Sequence, residues 1–169
     1  MTTRNASQGI LADDNAEQRT RIVELLTKSY WMEIETVMSY IANSTNPDGV
    51  RAQEIIESLK ADVQEELGHA QAFADRIKEL YGVVPGSSGF TAEQTFLQPP
   101  AHQTDIVHVI RGVIEAETGA IEHYNTLIEV TEGVDPVTND MTIAILRDEE
   151  GHRRLFEGFL REYEVEGLA

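Results

Sequence analysis

The sequence predicts an all-α protein built as a four-helix bundle, with one long crossover between the second and third helices. Three observations predict it. Apolar residues recur at steps of three and four along four segments, the spacing that gathers them on one face of an α-helix. Two of the three links between those segments are short and turn-rich, whereas the third is long and broken by proline and glycine. The first pair of segments and the last pair also carry the same polar residues inside their apolar stripes, so the chain reads as two similar helical hairpins.

The first helix is expected near 14–43, with Ile22, Leu26, Tyr30, Val37 and Ile41 on its core face. The second, near 49–81, presents Leu59, Val63, Phe73, Ile77 and Leu80. The third, near 105–131, presents Ile110, Val113, Ile114, Ile121 and Ile128, and the fourth, near 137–164, Met141, Ile145, Phe156, Phe159 and Tyr163. The turn-rich stretches 43–49 and 133–136 make each hairpin antiparallel. The stretch 82–104 holds Pro85, Gly86, Gly89, Pro99 and Pro100 and cannot be one helix. A helix of ~30 residues is ~45 Å long, and roughly 22 extended residues reach ~70 Å, so this link can run the length of the bundle. Helices two and three would then be parallel. Residues 1–13 are expected to form a flexible N-terminal segment, 14–164 the bundle and 165–169 a C-terminal tail.

A chain of 169 residues suits one domain. No apolar run approaches the ~18 residues of a membrane helix, and the N-terminus lacks the basic-then-apolar order of a secretory signal. The absence of cysteine excludes disulfides, thiolate nucleophiles, zinc fingers and iron–sulfur clusters, and it fits a cytoplasmic protein. A net charge of −17 repels nucleic acid and anionic membranes and attracts cations. A solubilising acidic surface accounts for that charge equally well.

The chemistry lies where polar residues interrupt the stripes. Glu33 falls between Tyr30 and Val37, and Glu117 between Ile114 and Ile121. Glu66 and His69 interrupt the second stripe, and Glu149 and His152 the fourth. A carboxylate in a core stripe must be paired, protonated or bound to a cation. Glu66-Leu-Gly-His69 and Glu149-Glu-Gly-His152 are both Glu-x-x-His, whose two side chains share a helix face and can ligate one metal centre. Each glutamate follows an acid, Glu65 or Asp148, and Tyr40 and Tyr124 stand seven residues after Glu33 and Glu117. Two Glu-x-x-His pairs alone are near chance in so acidic a chain. Their match to a core-face glutamate on each preceding helix is what points to metal. Two divalent ions would balance four carboxylates, and this oxygen and nitrogen set suits iron, manganese or zinc better than softer metals.

His102, His108 and His123 lie off the stripes or in the crossover and are expected at the surface. Trp31 is expected on the bundle's flank or in a subunit contact; Asp62 and Glu65 could form an iron path beside the site, and ordinary solvation is the expectation for both. Amphipathic outer faces predict a homo-oligomer, a dimer at least.

The run Met141–His152 resembles the last ligand helix of bacterioferritins, which ends in the same Asp-Glu-Glu-Gly-His. The four-helix pattern over 20–164 resembles the ferritin, bacterioferritin and rubrerythrin superfamily. The resemblance implies a ferritin-like four-helix bundle with two iron ions per chain. Glu66 and Glu149 would bridge them, Glu33 with His69 would complete one position, and Glu117 with His152 the other. Tyr40 and Tyr124 would stand behind the ligands as candidate catalytic side chains, and Glu65 and Asp148 could orient ligands. The implied activity is of ferroxidase type, oxidising Fe(II) with O₂ or peroxide for iron storage or protection against oxidative stress. The alternatives are a non-catalytic di-metal structural dimer and a Dps-like protective shell, the latter without direct contact to nucleic acid. Leu67 stands where haem-binding bacterioferritins carry methionine, so no haem is expected. Ala120 stands where rubrerythrins carry an extra carboxylate, and their cysteine-ligated iron domain is excluded. Only 17 residues follow His152, little for the fifth helix of large cages.

Overall fold

A computed structural model of the chain describes residues 9–169, which form four long helices and, among the described residues, no strand. We number them α1 (Ala16–Thr45), α2 (Gln53–Glu79), α3 (Ile106–Thr131) and α4 (Pro136–Val165). Their starts are chemically marked. The Asp105 side chain accepts from the backbone N–H of His108 at 3.1 Å, and Asp135 accepts from that of Thr138 at 3.2 Å ahead of Pro136. Both satisfy a donor the helix itself leaves free, and proline suits the first helical position. α2 stops where Tyr81 turns left-handed at φ 65° and the Gly82 N–H closes on the Ile77 carbonyl at 2.8 Å.

The crossover leaves α2 at Leu80 and returns to the opposite end of the bundle, where the Asp48 N–H donates to the Gln103 carbonyl at 2.9 Å. α3 therefore begins beside the beginning of α2, and the two run parallel. Two short 3₁₀ turns, Ser87–Gly89 and Thr95–Leu97, punctuate the crossover. Buried Glu35 holds it to α1 by accepting from the N–H groups of Glu93 and Gln94 at 2.9 and 2.8 Å, and Asn43 Nδ2 donates to the Leu97 carbonyl at 2.9 Å. Against α3 the approach is close enough to require glycine: a Cβ on Gly112 would lie 2.8 Å from the Phe96 carbonyl oxygen.

Of the N-terminal segment expected to be flexible, residues 1–8 lie outside the described residues. Its described part forms the turns Gly9–Leu11 and Asp13–Asn15, with Ile10 buried and Arg19 donating to the Ile10 and Ala12 carbonyls at 2.9 and 3.0 Å. Among the described residues no helix is long and apolar enough to cross a membrane.

The core divides into two apolar clusters with a polar layer between them. Tyr40, Ile55, Leu59, Leu97, Ile110, Val113 and Phe156 belong to one. Ile22, Leu26, Phe73, Ile77, Tyr124, Leu127 and Ile145 belong to the other. The apolar stripe expected on α1 drifts off this core. Ile41 is 50% exposed and Val37 only half-buried, while Ser29, Glu33, Thr36, Tyr40 and Asn43 line the interior. On α3 likewise Ile114, Ile121 and Ile128 are half-buried, and Tyr124 and Leu127 take the inner face. Small hydroxyl and amide residues fill the space beside a polar layer, so following apolar residues alone misplaces the face.

Candidate metal centre

The polar layer is made of the six residues that interrupt the stripes. α1 brings Glu33, α3 brings Glu117, and α2 and α4 each bring a Glu-x-x-His pair; Glu33, Glu66, His69, Glu117, Glu149 and His152 are all buried. Their ligand atoms form two groups. Glu33, Glu66, His69 and Glu149 offer atoms within 4.8 Å of one another, and so do Glu66, Glu117, Glu149 and His152. Glu66 and Glu149 belong to both.

His69 Nδ1 lies 3.1 Å from Glu149 Oε1 and 3.6 Å from Glu66 Oε2. His152 Nδ1 lies 3.3 Å from Glu66 Oε1 and 3.5 Å from Glu149 Oε2. These contacts attract electrostatically but are not aligned as hydrogen bonds. Both Nδ1 atoms, Glu66 Oε1 and Glu149 Oε1 are buried with no hydrogen-bond partner. Each such orphan costs about 1–3 kcal/mol. Donor atoms that converge on common points without pairing one another fit a pair of bound cations, and the oxygen and nitrogen set fits iron.

The outer face of each imidazole carries an acid from the other hairpin. His152 Nε2 hydrogen-bonds Glu65 Oε2 at 3.2 Å, and His69 Nε2 lies 3.4 Å from Asp148 Oδ2. A carboxylate there holds the proton on Nε2 and keeps the Nδ1 lone pair turned inward. The tyrosines cross in the same way. Each follows a glutamate on its own helix, yet the Tyr40 hydroxyl donates to Glu117 and the Tyr124 hydroxyl to Glu33. α1 and α3 are antiparallel, so the residue two turns beyond one glutamate meets the other. Burial, and next the charge of the paired glutamate, raises both phenols well above their ordinary value and keeps them as donors.

Burial and the charges of Glu66 and Glu149 raise Glu33 and Glu117 well above the usual carboxylate range. Burial acts the same way on Glu66, but Glu33, His152 and His69 outweigh it and hold that carboxyl well below its ordinary value. Glu149 is lowered against burial by His152 and His69. Burial opposes charge on the imidazoles, yet Glu149 and Glu66 overcome it, pushing His69 up to about 10 and His152 up to about 12. Two divalent ions on four carboxylates and two neutral imidazoles would balance in charge.

Other expectations need correction. His123 is buried, not exposed: its Nε2 lies 3.1 Å from the Leu25 carbonyl and 3.0 Å from Ser29 Oγ, and burial lowers its pKa. Being out of phase with Glu117 turns it from the bundle axis, but toward α1 rather than toward water. Asp62, expected to be solvated, is 7% exposed. His102, His108 and Glu65 are exposed, and half-buried Trp31 packs on Phe90 of the crossover, ring centroids 5.4 Å apart. Sequence reasoning missed the buried Arg76, whose Nη2 and Nε donate to Asp135 and Thr138 at 2.8 Å each. An arginine among apolar α2 residues was its only signal.

The comparisons agree with this architecture. A "DNA protection during starvation protein" of Pyrococcus furiosus is 28% identical over 142 residues, 83% of this chain and 77% of that one. A bacterioferritin of Desulfovibrio desulfuricans is 24% identical over 148 residues, 87% of this chain and 78% of the relative. The crystal structure of a Desulfovibrio desulfuricans bacterioferritin, described with a diiron site, superposes with a TM-score of 0.75 at 22% identity, covering 88% of this chain and 83% of that one. That likeness speaks for the fold. The family model described as a ferritin-like domain matches residues 23–165, and the chain belongs to that family.

Proposed function

We propose that the six buried residues bind two iron ions per chain and that the protein oxidises Fe(II) with O₂ or peroxide. The observation that carries this reading is the pair of ligand groups sharing Glu66 and Glu149, with four buried donor atoms that find no hydrogen-bond partner among the described residues. Glu33 and His69 would complete one position, and Glu117 and His152 the other. Manganese or zinc would fit the same donors. Bound as substrate, two Fe(II) supply two electrons, which reduce O₂ to peroxide or peroxide to water, with two protons consumed in either case. The chain's own groups prepare the site. Glu65 and Asp148 orient the imidazoles, Tyr40 and Tyr124 hold the terminal glutamates, and the apolar clusters on either side exclude water.

Stopped-flow absorbance on adding Fe(II) to the metal-free protein tests this, with O₂ and with peroxide separately. Oxidation is expected to outpace buffer, and His152→Ala to slow it by about tenfold or more. A protein that binds two ions yet gives no rate above buffer with either oxidant is a non-catalytic di-metal protein instead. The likeness to the Pyrococcus DNA protection protein favours a protective role as the second reading, and a peroxide rate far above the O₂ rate would select it. The net charge of −17 opposes direct contact with DNA in either case.

A homo-oligomer, a dimer at least, belongs to the same reading. It is supported by Met38 and Ile41 on α1 and Leu67 on α2, which are 46–50% exposed. Light scattering at micromolar concentration is expected to give a mass of two chains or more; a monomer contradicts it.

A further inference from the structure

The crossover does not lie evenly on α3. At Gly112 it presses so close that a Cβ would meet the Phe96 carbonyl oxygen at 2.8 Å. About two turns further along α3, a Cβ on Gly119 would have nothing within 4 Å. There α1, α3 and the crossover enclose a cleft of about 660 Å³, within the range of roughly 300–1,000 Å³ that small-molecule sites occupy. Half-buried Trp31, Met32 and Phe96 give it apolar walls, and on α3 it meets Gly119. Trp31 is held by Tyr30 and Phe90, ring centroids 4.9 and 5.4 Å away, and Glu35 pins the crossover by accepting from the N–H groups of Glu93 and Gln94. Glycine inside a helix is less favourable than alanine. No neighbour at Gly119 excludes a larger residue, so packing does not demand the space left there. The rim is acidic: Glu24, Glu93 and Glu122 stand exposed at the cleft against one ammonium, Lys28. Among the described residues the lysine and arginine ion pairs all involve Arg51, Arg76 or Arg153, so these three carboxylates have no countercharge in contact.

We infer that this cleft binds a small organic cation, an ammonium carried on an aromatic body. The body packs on Trp31, Met32 and Phe96, and the ammonium meets the acidic rim. Glu24 stands one turn from Lys28 on α1, so the surplus of negative charge lies with Glu93 on the crossover and Glu122 on α3. A cation is drawn to an aromatic face by the ring's quadrupole, most strongly to indole. A thioether sulfur in turn packs favourably on an aromatic ligand. An anion would face three carboxylates, and a neutral ligand would gain nothing from them. A ringless polyamine would satisfy the rim and leave the apolar walls uncovered. None of the six residues of the metal centre lines the cleft, so the inference does not depend on what that centre binds.

Trp31 is the chain's only tryptophan, so its fluorescence reports the cleft directly. Phenethylamine, titrated into the full chain, is expected to change that emission saturably with a Kd below about 1 mM. Phenethyl alcohol, its neutral isostere, is expected to bind about fivefold more weakly, and phenylacetate not to compete. The Glu93→Gln, Glu122→Gln variant is expected to weaken the amine about fivefold and leave the alcohol unchanged. Gly119→Leu fills the cleft from α3 with a better helix former; it is expected to abolish the response while melting no lower than the parent. Thermal melts establish that both variants fold, and the double glutamine variant decides the matter should Gly119→Leu not fold. No saturation of the parent by about 1 mM amine overturns the inference. So does equal affinity for amine, alcohol and carboxylate, an unchanged Kd in the double glutamine variant, or a parental response in folded Gly119→Leu. Spermidine displacing the amine at equal concentration would reduce the contact to charge alone and overturn it as well.

Discussion

The Glu66→Ala, Glu149→Ala double variant is expected to lose both ions at once, its bound metal falling from about two per chain to well under one. Glu66 and Glu149 are the two residues common to both ligand groups, so each removal reaches both positions. Removing Glu33 or Glu117 alone would disturb one. The loss should also appear as stability. An ion that binds only the folded chain stabilises it by about 2.7 kcal/mol when its concentration is a hundred times Kd, so two contribute about 5 kcal/mol. For a chain of this size each kcal/mol moves the melting temperature by about 2–4 °C. Co(II) or Mn(II) should therefore raise the parent's melting temperature by about 10–20 °C and leave that of the double variant nearly unchanged. Elemental analysis and paired melts check both halves. Undiminished metal, or an equal rise in the double variant, would end the assignment of these residues as ligands.

Arg76→Ala is expected to destabilise the protein by about 3–5 kcal/mol, the range for removing one partner of a buried ion pair. Arg76 joins the end of α2 to the start of α4, donating to Asp135 and Thr138, both with no exposed surface. Without it Asp135 keeps its cap to the Thr138 N–H but loses its countercharge. Urea titration of the metal-free protein measures the change, and a loss below about 1 kcal/mol would refute a structural role for the pair. The effect should extend to the centre, because α2 and α4 carry the shared glutamates and both histidines. A splayed α2–α4 cleft would weaken metal binding in a variant whose ligands are all present, and titration with Co(II) would register it.

The six residues of the polar layer were legible because they interrupt apolar periodicity and repeat between hairpins. Their burial is a consequence of helical phase, which spacing specifies directly. Boundaries were legible to within a few residues where turn-rich links mark them. The core faces of α1 and α3 were less so, because Ser29, Thr36 and Asn43 line the interior while Ile41 faces out. His123 and Asp62 were misread for a related reason. A polar side chain off the main stripe, or within it, is assigned to water unless its neighbour on another helix is known.

By itself the sequence determined the helix count, the long crossover, the two-hairpin repeat and the set of acids and imidazoles that gather at mid-bundle. These follow from contacts three and four residues apart and from where the backbone must turn. Only the tertiary structure decided which residue meets which across helices. Tyr40 serves Glu117 rather than Glu33, and Glu65 hydrogen-bonds His152 of the other hairpin. Asp62 is held inside beside His152, and Arg76 finds Asp135. Such pairings depend on the relative direction and axial offset of different helices, which packing of the whole bundle sets and no local spacing encodes.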